Sequence, residues 1–177
     1  MPNRLQGKIA IVSGAGSVGP GWGNGKATAV LFAREGATVF AVDINLSAAE
    51  ETKKIIEDEG GCCSSWQADV SLNVEVQALV DACFTEYGRV DVLHNNVGIL
   101  EVGGPVELSE EKWDRVLDVN VKGMFLTCKY VLPIMERQGK GTIVNVSSIA
   151  AIRHLGYDAV SYNASKGAVD SLTQHIA

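Results

Sequence analysis

Short apolar runs alternate with segments of helical periodicity along the whole sequence, and this alternation restricts the fold more than any other feature. Apolar strands that are separated by helical segments favour parallel pairing, with helices covering both faces of the sheet. Right-handed crossovers then produce a doubly wound sheet. We therefore predict an α/β fold with a Rossmann-type parallel sheet, whose five strands occupy residues 8–13, 38–42, 63–67, 90–93 and 141–146.

Capping and breaker residues predict the helices between these strands. One helix begins near residue 26 and ends before Gly36, and another begins with a capping box at Ser47 and runs to residue 59. Ser71 is the expected N-cap of a third helix. A further helix, continuous or broken, extends from residue 109 to about 137, and the last begins at Ser161. The apolar side of the third helix is predicted to carry Val74, Leu79, Val80 and Phe84.

Six glycines lie between Gly14 and Gly25, immediately after the first predicted strand. Residues 14–19 match a GxGxxG pattern, but the Pro-Gly-Trp-Gly segment that follows cannot easily continue a first helical turn. We expect the first turn at Gly14, the helix N-terminus near Gly23 and Asn24, and an enlarged loop between them. The backbone at residues 15–17 and the hydroxyl of Ser17 are then expected to approach a phosphate or ribose of a bound dinucleotide.

Asp43 ends the second predicted strand and is followed by Ile44. At this place a carboxylate can accept hydrogen bonds from the 2′- and 3′-hydroxyls of an adenosine ribose, whereas it repels a 2′-phosphate. No arginine follows in the sequence to neutralise such a phosphate. The pattern therefore favours NAD over NADP as the cofactor.

Composition excludes several other classes of protein. The net charge of -6 and the pI near 5.0 argue against nucleic acid as a partner. No apolar run reaches the roughly 18 residues of a membrane span, and the N-terminus lacks the apolar region of a signal peptide. The four cysteines form no CxxC pair and have no histidine at metal-ligand spacing. We expect reduced thiols, no metal site and a cytoplasmic location.

Several motifs occur in one order along the chain, and together they resemble the classical type of the short-chain dehydrogenase/reductase family. They are Gly23-Asn24-Gly25, Asp69-Val70, Asn95-Asn96-Val97-Gly98, Asn120, Ser147-Ser148, and Tyr162 with Lys166. The similarity extends over essentially all 177 residues. The sequence departs from the family pattern where eight residues, instead of three, separate Gly14 from Gly23, and where Val97 replaces an alanine.

The resemblance implies a role for each of these positions. Tyr162 would exchange a proton with the substrate oxygen, and Lys166 would tune that tyrosine and hold the nicotinamide ribose. Four residues separate the two, so they share one face of the last helix. Ser148 would bind the substrate carbonyl, with Ser147 as the alternative. The remaining implied positions are Asn120, which fixes a helix irregularity and a water linked to Lys166, Asp69 and Val70 at the adenine, and Asn96 and Gly98 beside the cofactor.

The expected activity is hydride transfer between nicotinamide and a secondary alcohol or ketone by a Ser-Tyr-Lys mechanism. Family members extend well beyond the position of Ala177, so residues 1–177 are expected to form a single NAD(P)-binding Rossmann domain that is incomplete at the C-terminus. The alternative is a dinucleotide-binding fragment without catalysis. We expect a small-molecule partner, no nucleic acid or membrane, and a homo-oligomeric parent enzyme.

Overall fold

The computed structural model describes residues 3–177 and contains one five-stranded sheet in which all neighbouring strands are parallel. The strands are β1 Ile9–Ser13, β2 Thr38–Asp43, β3 Cys62–Gln67, β4 Val92–Asn95 and β5 Thr142–Asn145. The helices are α1 Asn24–Arg34, α2 Leu46–Asp58, α3 Asn73–Tyr87, α4 Glu110–Leu117, α5 Gly123–Gln138 and α6 Val160–Ile176. The spatial order is β3-β2-β1-β4-β5, which confirms the predicted doubly wound Rossmann sheet. The strand order reverses between β1 and β4, and a crevice forms there at the carboxyl ends of the strands.

Helices cover both faces of the sheet, and every residue of β1 is buried. On one face, Ile11 and Phe40 pack with Leu79 of α3 and Val131 of α5. On the other face, α1 and α2 supply a second cluster, which contains Val12, Val39, Ala41, Ala29, Val30 and Ile56. Because the central strand has no solvent-facing side, its polar groups can reach solvent only at its ends.

The observed strands differ from the predicted ones mainly at their ends. β4 begins at Val92, two residues later than predicted, and it includes Asn95. Val90 is fully buried although it precedes β4. A buried valine next to a strand has the same apolar pattern as the strand itself, which is why the predicted strand begins too early. β5 ends at Asn145 and is partly exposed along its length because it lies at the edge of the sheet.

The predicted capping box at Ser47 is wrong. The helix α2 begins two residues earlier than a cap at Ser47 implies, and Asn45 is its N-cap. The side-chain oxygen of Asn45 accepts hydrogen bonds from the backbone nitrogen of Ser47 at 3.1 Å and from its hydroxyl at 2.8 Å. Asparagine is as good an N-cap as serine, and here it occupies the extended conformation that a cap requires.

The prediction that Ser71 caps α3 is also wrong. The N-cap position is Leu72, which has no capping side chain, and the hydroxyl of Ser71 donates instead to Asp69. The predicted apolar side of α3 is also wrong in part, because Val74 and Phe84 are exposed. The residues of α3 that are buried are Val76, Leu79, Val80 and Cys83.

The long helix predicted from residue 109 is broken by a π-helical turn. The helix α4 begins after Ser109 as predicted, and the side chain of Ser109 caps it. The π-helical turn Asp118–Lys122 separates α4 from α5. The helix α5 continues through Pro133 to Gln138. Within residues 3–177, no helix combines the length and the apolar content that crossing a bilayer requires.

Candidate active site

The carboxyl ends of the strands open into one cleft of about 970 Å³. Its wall contains thirteen of the fourteen residues that the sequence singled out, although they come from distant parts of the chain. These residues are Gly14, Ser17, Gly23, Asn24, Asp43, Ile44, Asp69, Val70, Asn96, Gly98, Ser148, Tyr162 and Lys166. Asn120 is the exception, because its side chain is fully buried behind this wall.

The turn that follows β1 brings α1 close to the end of the strand. Gly14 has a φ of +69°, a conformation that favours glycine. Its carbonyl oxygen accepts a hydrogen bond from Nδ2 of Asn96 at 3.1 Å. A side chain at Gly25 would overlap this same carbonyl group, so both glycines are required for the close approach.

The enlarged loop between Gly14 and Gly23 has an internal contact that the sequence analysis did not anticipate. The hydroxyl of Ser17 donates to the carbonyl oxygen of Gly21 at 3.2 Å and accepts from the backbone nitrogen of Gly23 at 2.8 Å. The hydroxyl that we expected to approach a phosphate is thus engaged within the loop. No side chain caps the first turn of α1, so the amide groups near Asn24 remain available to an anion in the cleft.

Lys26 is a buried cation, whereas the sequence predicted only that it lies at the start of a helix. Its side chain is 1% exposed, and Nζ donates to the carbonyl oxygen of Gly21 at 3.2 Å and to Oε1 of Glu51 at 2.9 Å. The spacing of Lys26 to Ala29 and Val30, three and four residues later, indicated this buried position, because all three lie on the inner face of α1.

The carboxylate of Asp43 is fixed at the edge of the cleft by two backbone groups. Oδ2 accepts from the nitrogen of Gly16 at 2.9 Å, and Oδ1 accepts from the nitrogen of Asn45 at 3.0 Å. A Cβ at Gly16 would lie 2.5 Å from the Cβ of Ala48, so only glycine allows this approach. Ile44, which follows Asp43, is 62% exposed and also lines the cleft.

Asp69 and Val70 form a fixed corner of the same cleft. Oδ1 of Asp69 accepts from both the nitrogen and the hydroxyl of Ser71, and the nitrogen of Asp69 donates to Glu75 at 2.7 Å. Val70 is 5% exposed and packs closely on Gly123, where an added Cβ would lie 2.9 Å from its side chain. The corner is therefore built before any ligand enters.

Asn95, one residue before Asn96, ties together the ends of three strands and one helix. Its Oδ1 accepts from the hydroxyl of Thr127 at 2.9 Å and from that of Ser13 at 3.3 Å. Its Nδ2 donates to Asn145 at 2.9 Å. The buried amide thus fixes β1, β4 and β5 against α5, and it places Asn96 and Gly98 at the cleft.

Tyr162 and Lys166 lie together on α6, as their spacing predicted. The ammonium of Lys166 lies 5.6 Å from the centroid of the Tyr162 ring, and it donates to the carbonyl oxygen of Val146 at 2.7 Å. Burial lowers the pKa of Lys166 below its ordinary value, against the opposing effect of Asp170. Gly98 leaves room for this ammonium, since a Cβ there would lie 3.3 Å from Nζ.

Asn120 holds the π-helical turn against the loop after β4 and against α6. Its Oδ1 accepts from the nitrogen of Ile99 at 2.8 Å, and its Nδ2 donates to the carbonyl of Ile99 and to the hydroxyl of Ser165. Ser165 in turn donates to the carbonyl oxygen of Tyr162. The structure thus contains the helix irregularity expected at Asn120, and the network reaches the backbone of the tyrosine.

The two serines that follow β5 differ in how their hydroxyl protons are used. Ser147 donates its hydroxyl to the carbonyl oxygen of Lys166 at 3.3 Å. Ser148 accepts from the nitrogen of Ala150 at 3.1 Å, as the cap of a short 3₁₀ turn. Both serines line the cleft, but only the hydroxyl proton of Ser148 remains free for a ligand.

Sequence reasoning missed a further part of the cleft wall, on α4 and the π-helical turn. Arg115, Asp118 and Val119 line the cleft at i, i+3 and i+4 spacing just before Asn120. Asp118 is paired with Lys122, whereas Arg115 forms no ion pair with any residue of 3–177. Although no arginine directly follows Asp43 in the sequence, the crossover into α4 places Arg115 in the same cleft. The spacing relative to Asn120 was the signal that could have revealed it.

No group of three or more histidine, cysteine or acidic side chains could hold a metal ion within the described residues. All four cysteines have free thiols; Cys62 is exposed and the other three are buried. Burial raises the pKa of Cys63 and Cys83 to about 12 and that of Cys128 to about 11. The buried thiols are therefore poor nucleophiles at neutral pH.

Comparison with known proteins identifies the family of this chain. The model of the short chain dehydrogenase family matches residues 8–177, and the chain belongs to that family. An uncharacterized oxidoreductase from Bacillus subtilis is 39% identical over 98% of this chain and 62% of its own length. A 3-oxoacyl-[acyl-carrier-protein] reductase from Thermotoga maritima is 39% identical over 97% of this chain and 67% of its own length. The chain thus spans about two thirds of the length of these relatives.

Solved structures agree closely with the fold. A short-chain dehydrogenase/reductase from Burkholderia xenovorans superposes with a TM-score of 0.96 at 46% identity, over 98% of this chain and 69% of the other. A 7α-hydroxysteroid dehydrogenase complexed with NADH and 7-oxo glycochenodeoxycholic acid superposes with a TM-score of 0.91 at 34% identity, over 98% of this chain and 66% of the other. The fold is therefore shared with solved structures of dehydrogenases.

Proposed function

We propose that residues 1–177 form the dinucleotide-binding and proton-transferring unit of an oxidoreductase that interconverts a secondary alcohol and a ketone with NAD. The observation that carries this proposal is that Gly14, Asp43 and Tyr162 line one cleft. An anion site, a sugar-binding carboxylate and a phenol beside an ammonium are thereby joined in a single crevice. The named relatives that act on alcohols and ketones support the reaction class.

The residues of the cleft fit a nicotinamide dinucleotide. The uncapped N-terminus of α1 and the bare backbone at Gly14 and Gly16 suit a pyrophosphate, because amide groups and the helix dipole both favour an anion. Asp43 would hold the adenosine ribose, and Asp69 with Val70 would border the adenine. Lys166 and Asn96 would lie along the nicotinamide half. When bound, the reduced nicotinamide supplies the hydride.

Asp43 favours NAD over NADP in this proposal. Its two carboxylate oxygens are aimed by the nitrogens of Gly16 and Asn45, and each oxygen keeps a further lone pair for a ribose hydroxyl. A 2′-phosphate would place two negative charges side by side. Arg115 lines the same cleft, and its positive charge counteracts this repulsion.

Tyr162 is proposed to transfer the proton that balances the hydride. In the direction of reduction, its O–H bond breaks and the proton passes to the substrate oxygen, giving an alcohol. The positive charge of Lys166 beside the ring stabilises the negative charge left on the phenol oxygen. Asn120 keeps the backbone of α6 in place through Ser165, so that the tyrosine is held at a constant position.

Ser148 is proposed to donate a hydrogen bond to the substrate oxygen. Its hydroxyl accepts from Ala150 and keeps its own proton, whereas the proton of Ser147 is committed to the carbonyl of Lys166. A donor aimed at the oxygen stabilises the charge that develops there during transfer.

The decisive experiment replaces Tyr162 with Phe and measures NADH binding and ketone-dependent NADH oxidation separately. We expect turnover to fall by about 10²–10⁴-fold, the usual contribution of a positioned acid or base, while the Kd for NADH stays within about twofold. The matched control is Tyr130→Phe, which removes a hydroxyl that bonds only to Asn73. That control is expected to leave both quantities unchanged.

The same experiment tests the alternative of a dinucleotide-binding fragment without catalysis. The chain spans 62% of the length of one relative and 67% of that of another. NADH binding without oxidation by any ketone of a broad panel would support it. Failure to bind NADH would reject both functions, and full activity of the Tyr162→Phe variant would reject the assigned mechanism.

A further inference from the structure

The enlarged loop between β1 and α1, residues 17–22, is held by very few contacts. Val18 is fully exposed and Trp22 is 59% exposed, so apolar packing does not anchor the loop. In the described part of the chain, residues 18–22 form hydrogen bonds only at Gly21, whose carbonyl oxygen accepts from Ser17 and from Lys26. Gly21 has a φ of +107°, which permits this carbonyl orientation only for glycine.

Lys26 supplies the charged part of this contact from inside the protein. Its side chain is 1% exposed, although burying a cation is costly unless it is bonded. Its partners come from two different segments: the carbonyl of Gly21 in the loop and the carboxylate of Glu51 on α2. The ammonium therefore joins the loop, α1 and α2 at one point.

This junction lies directly behind the proposed phosphate site. Ser17, whose hydroxyl shares the carbonyl of Gly21 with Lys26, lines the cleft together with Gly16 and Asn24. Lys26 itself does not line the cleft, so it cannot act by direct contact with a ligand there. Any effect that it has on binding must pass through the position of the loop.

We propose that Lys26 is a positioning residue for the dinucleotide: by bonding to Gly21 and Glu51, it holds loop 17–22 so that the backbone amides around Ser17 and the N-terminus of α1 face the pyrophosphate. This inference rests on the proposed function, since it concerns the same cleft. The conformation of the loop then depends on a buried cation and not on the glycines alone.

The test uses the Lys26→Met variant, which keeps the length of the side chain and removes its charge. We expect the Kd values for NADH and ADP-ribose to rise about tenfold, because both ligands carry the pyrophosphate. The affinity for adenosine, measured by ligand-observed NMR, should change by less than twofold. Lys26→Arg should restore most of the lost affinity. Lys53→Met is the matched control, since it removes a partly exposed lysine that pairs only with Glu57 on α2.

A second measurement follows the loop without any ligand. Chymotrypsin cleaves after exposed aromatic residues, and Trp22 lies within the loop. We expect cleavage at Trp22 to become several-fold faster in Lys26→Met than in the wild type or in Lys53→Met. If Lys26→Met does not fold, Glu51→Ala provides the same test, because Glu51 is largely exposed and its loss removes one partner of the ammonium.

The outcomes separate this inference from the proposed function. A wild-type protein that does not bind NADH rejects the proposed function, while the cleavage assay still tests the role of Lys26 in the loop. Wild-type binding together with unchanged ADP-ribose affinity and unchanged cleavage in Lys26→Met overturns the inference alone. Equal losses of adenosine and ADP-ribose affinity also overturn it, because they indicate a general structural effect.

Discussion

At the amino edge of the sheet, where the strands begin, the charged groups neutralise one another. At the carboxyl edge, where the strands end, several charged groups face an open cleft. Asp91, which precedes β4, is 5% exposed and accepts from the nitrogen of Ile9 at 3.0 Å and from Arg89 at 2.6 and 2.7 Å. Lys8 adds a longer ion pair at 3.8 Å. At the opposite edge, Asp43 keeps unused lone pairs and Arg115 has no ion pair among the described residues.

This difference shows that, in one sheet, some carboxylates stabilise the fold and others are left free to bind a ligand. A carboxylate that is surrounded by donors from its own chain contributes to folding and offers nothing to a ligand. A carboxylate that is held only by backbone nitrogens keeps its orientation and its capacity to bind. The following variants test that separation, beginning with the largest expected effect.

Replacing Asp91 with Ala should destabilise the fold by about 1–3 kcal/mol without changing the affinity of the folded protein for NADH. The nitrogen of Ile9 would be left buried without a partner, which costs about 1–3 kcal/mol. The partly exposed Arg89 and Lys8 add little, because solvent screens them. Chemical denaturation measures the change, and Asp58→Ala, at an exposed position, is the control.

The pH dependence sharpens this prediction. Burial alone would raise the pKa of Asp91, but the hydrogen bonds from Arg89 and Ile9 outweigh it and hold the pKa below its usual range. The stabilisation is therefore complete above the unfolded pKa, near 3.9, and is lost as the pH falls through the folded value. The difference between wild type and Asp91→Ala should shrink only in strong acid. A difference that disappears already near pH 6 would contradict the assignment.

The carboxyl edge could be predicted from the sequence far better than its supporting contacts. Parallel strands all end at one edge, so residues that follow strands, such as Asp43 and Asn96, must converge once the alternation is recognised. The bond from Lys26 to Gly21 could not be predicted in this way, because it depends on how an enlarged loop folds back over α1. Arg115 was missed for a related reason, since its neighbours in the cleft are set by the crossover into α4.

Local capping signals failed at the first turns of α2 and α3. Asn45 and Ser47 are both good N-caps, and the deciding factor is that Asn45 lies in the turn fixed by Asp43. Ser71 is likewise a good cap by residue type, but its hydroxyl bonds to Asp69 and the helix begins later. In both places a contact with the cleft wall decided the boundary.

Replacing Asp43 with Ala should shift the ratio of NADH to NADPH affinity towards NADPH by about tenfold, which corresponds to about 1.4 kcal/mol. The variant removes the acceptor for ribose hydroxyls and the repulsion of a 2′-phosphate. The measurement is a pair of fluorescence titrations, with Asp58→Ala as the control.

Two results would change the comparison between the two edges. An unaltered affinity ratio in Asp43→Ala would place the ribose elsewhere. A large loss of stability with no change in the ratio would show that Asp43 acts in folding, as Asp91 does. Adding Arg115→Ala to the variant should reverse part of the shift if this free cation attracts the 2′-phosphate.

His94, in the middle of β4, belongs to neither edge and should give the smallest effect. Its imidazole is 8% exposed, Nδ1 has no hydrogen-bond partner among the described residues, and the ring meets Phe32 edge-on at 5.9 Å. Burial lowers the pKa of His94, against a smaller opposing effect of a backbone hydrogen bond. The unfolded chain therefore binds a proton near pH 6.5 while the folded chain does not, so stability falls as the pH drops below that value.

The His94→Phe variant should remove this part of the acid sensitivity. Between pH 7 and pH 5, the wild type should lose more stability than the variant does, because the unfolded wild-type chain gains the proton of His94 before the folded chain does. His175→Phe, which changes an exposed histidine on α6, should behave like the wild type. Equal acid sensitivity in wild type and His94→Phe would mean that the imidazole gains a partner on protonation, and that the centre of the sheet tolerates charge as its edges do.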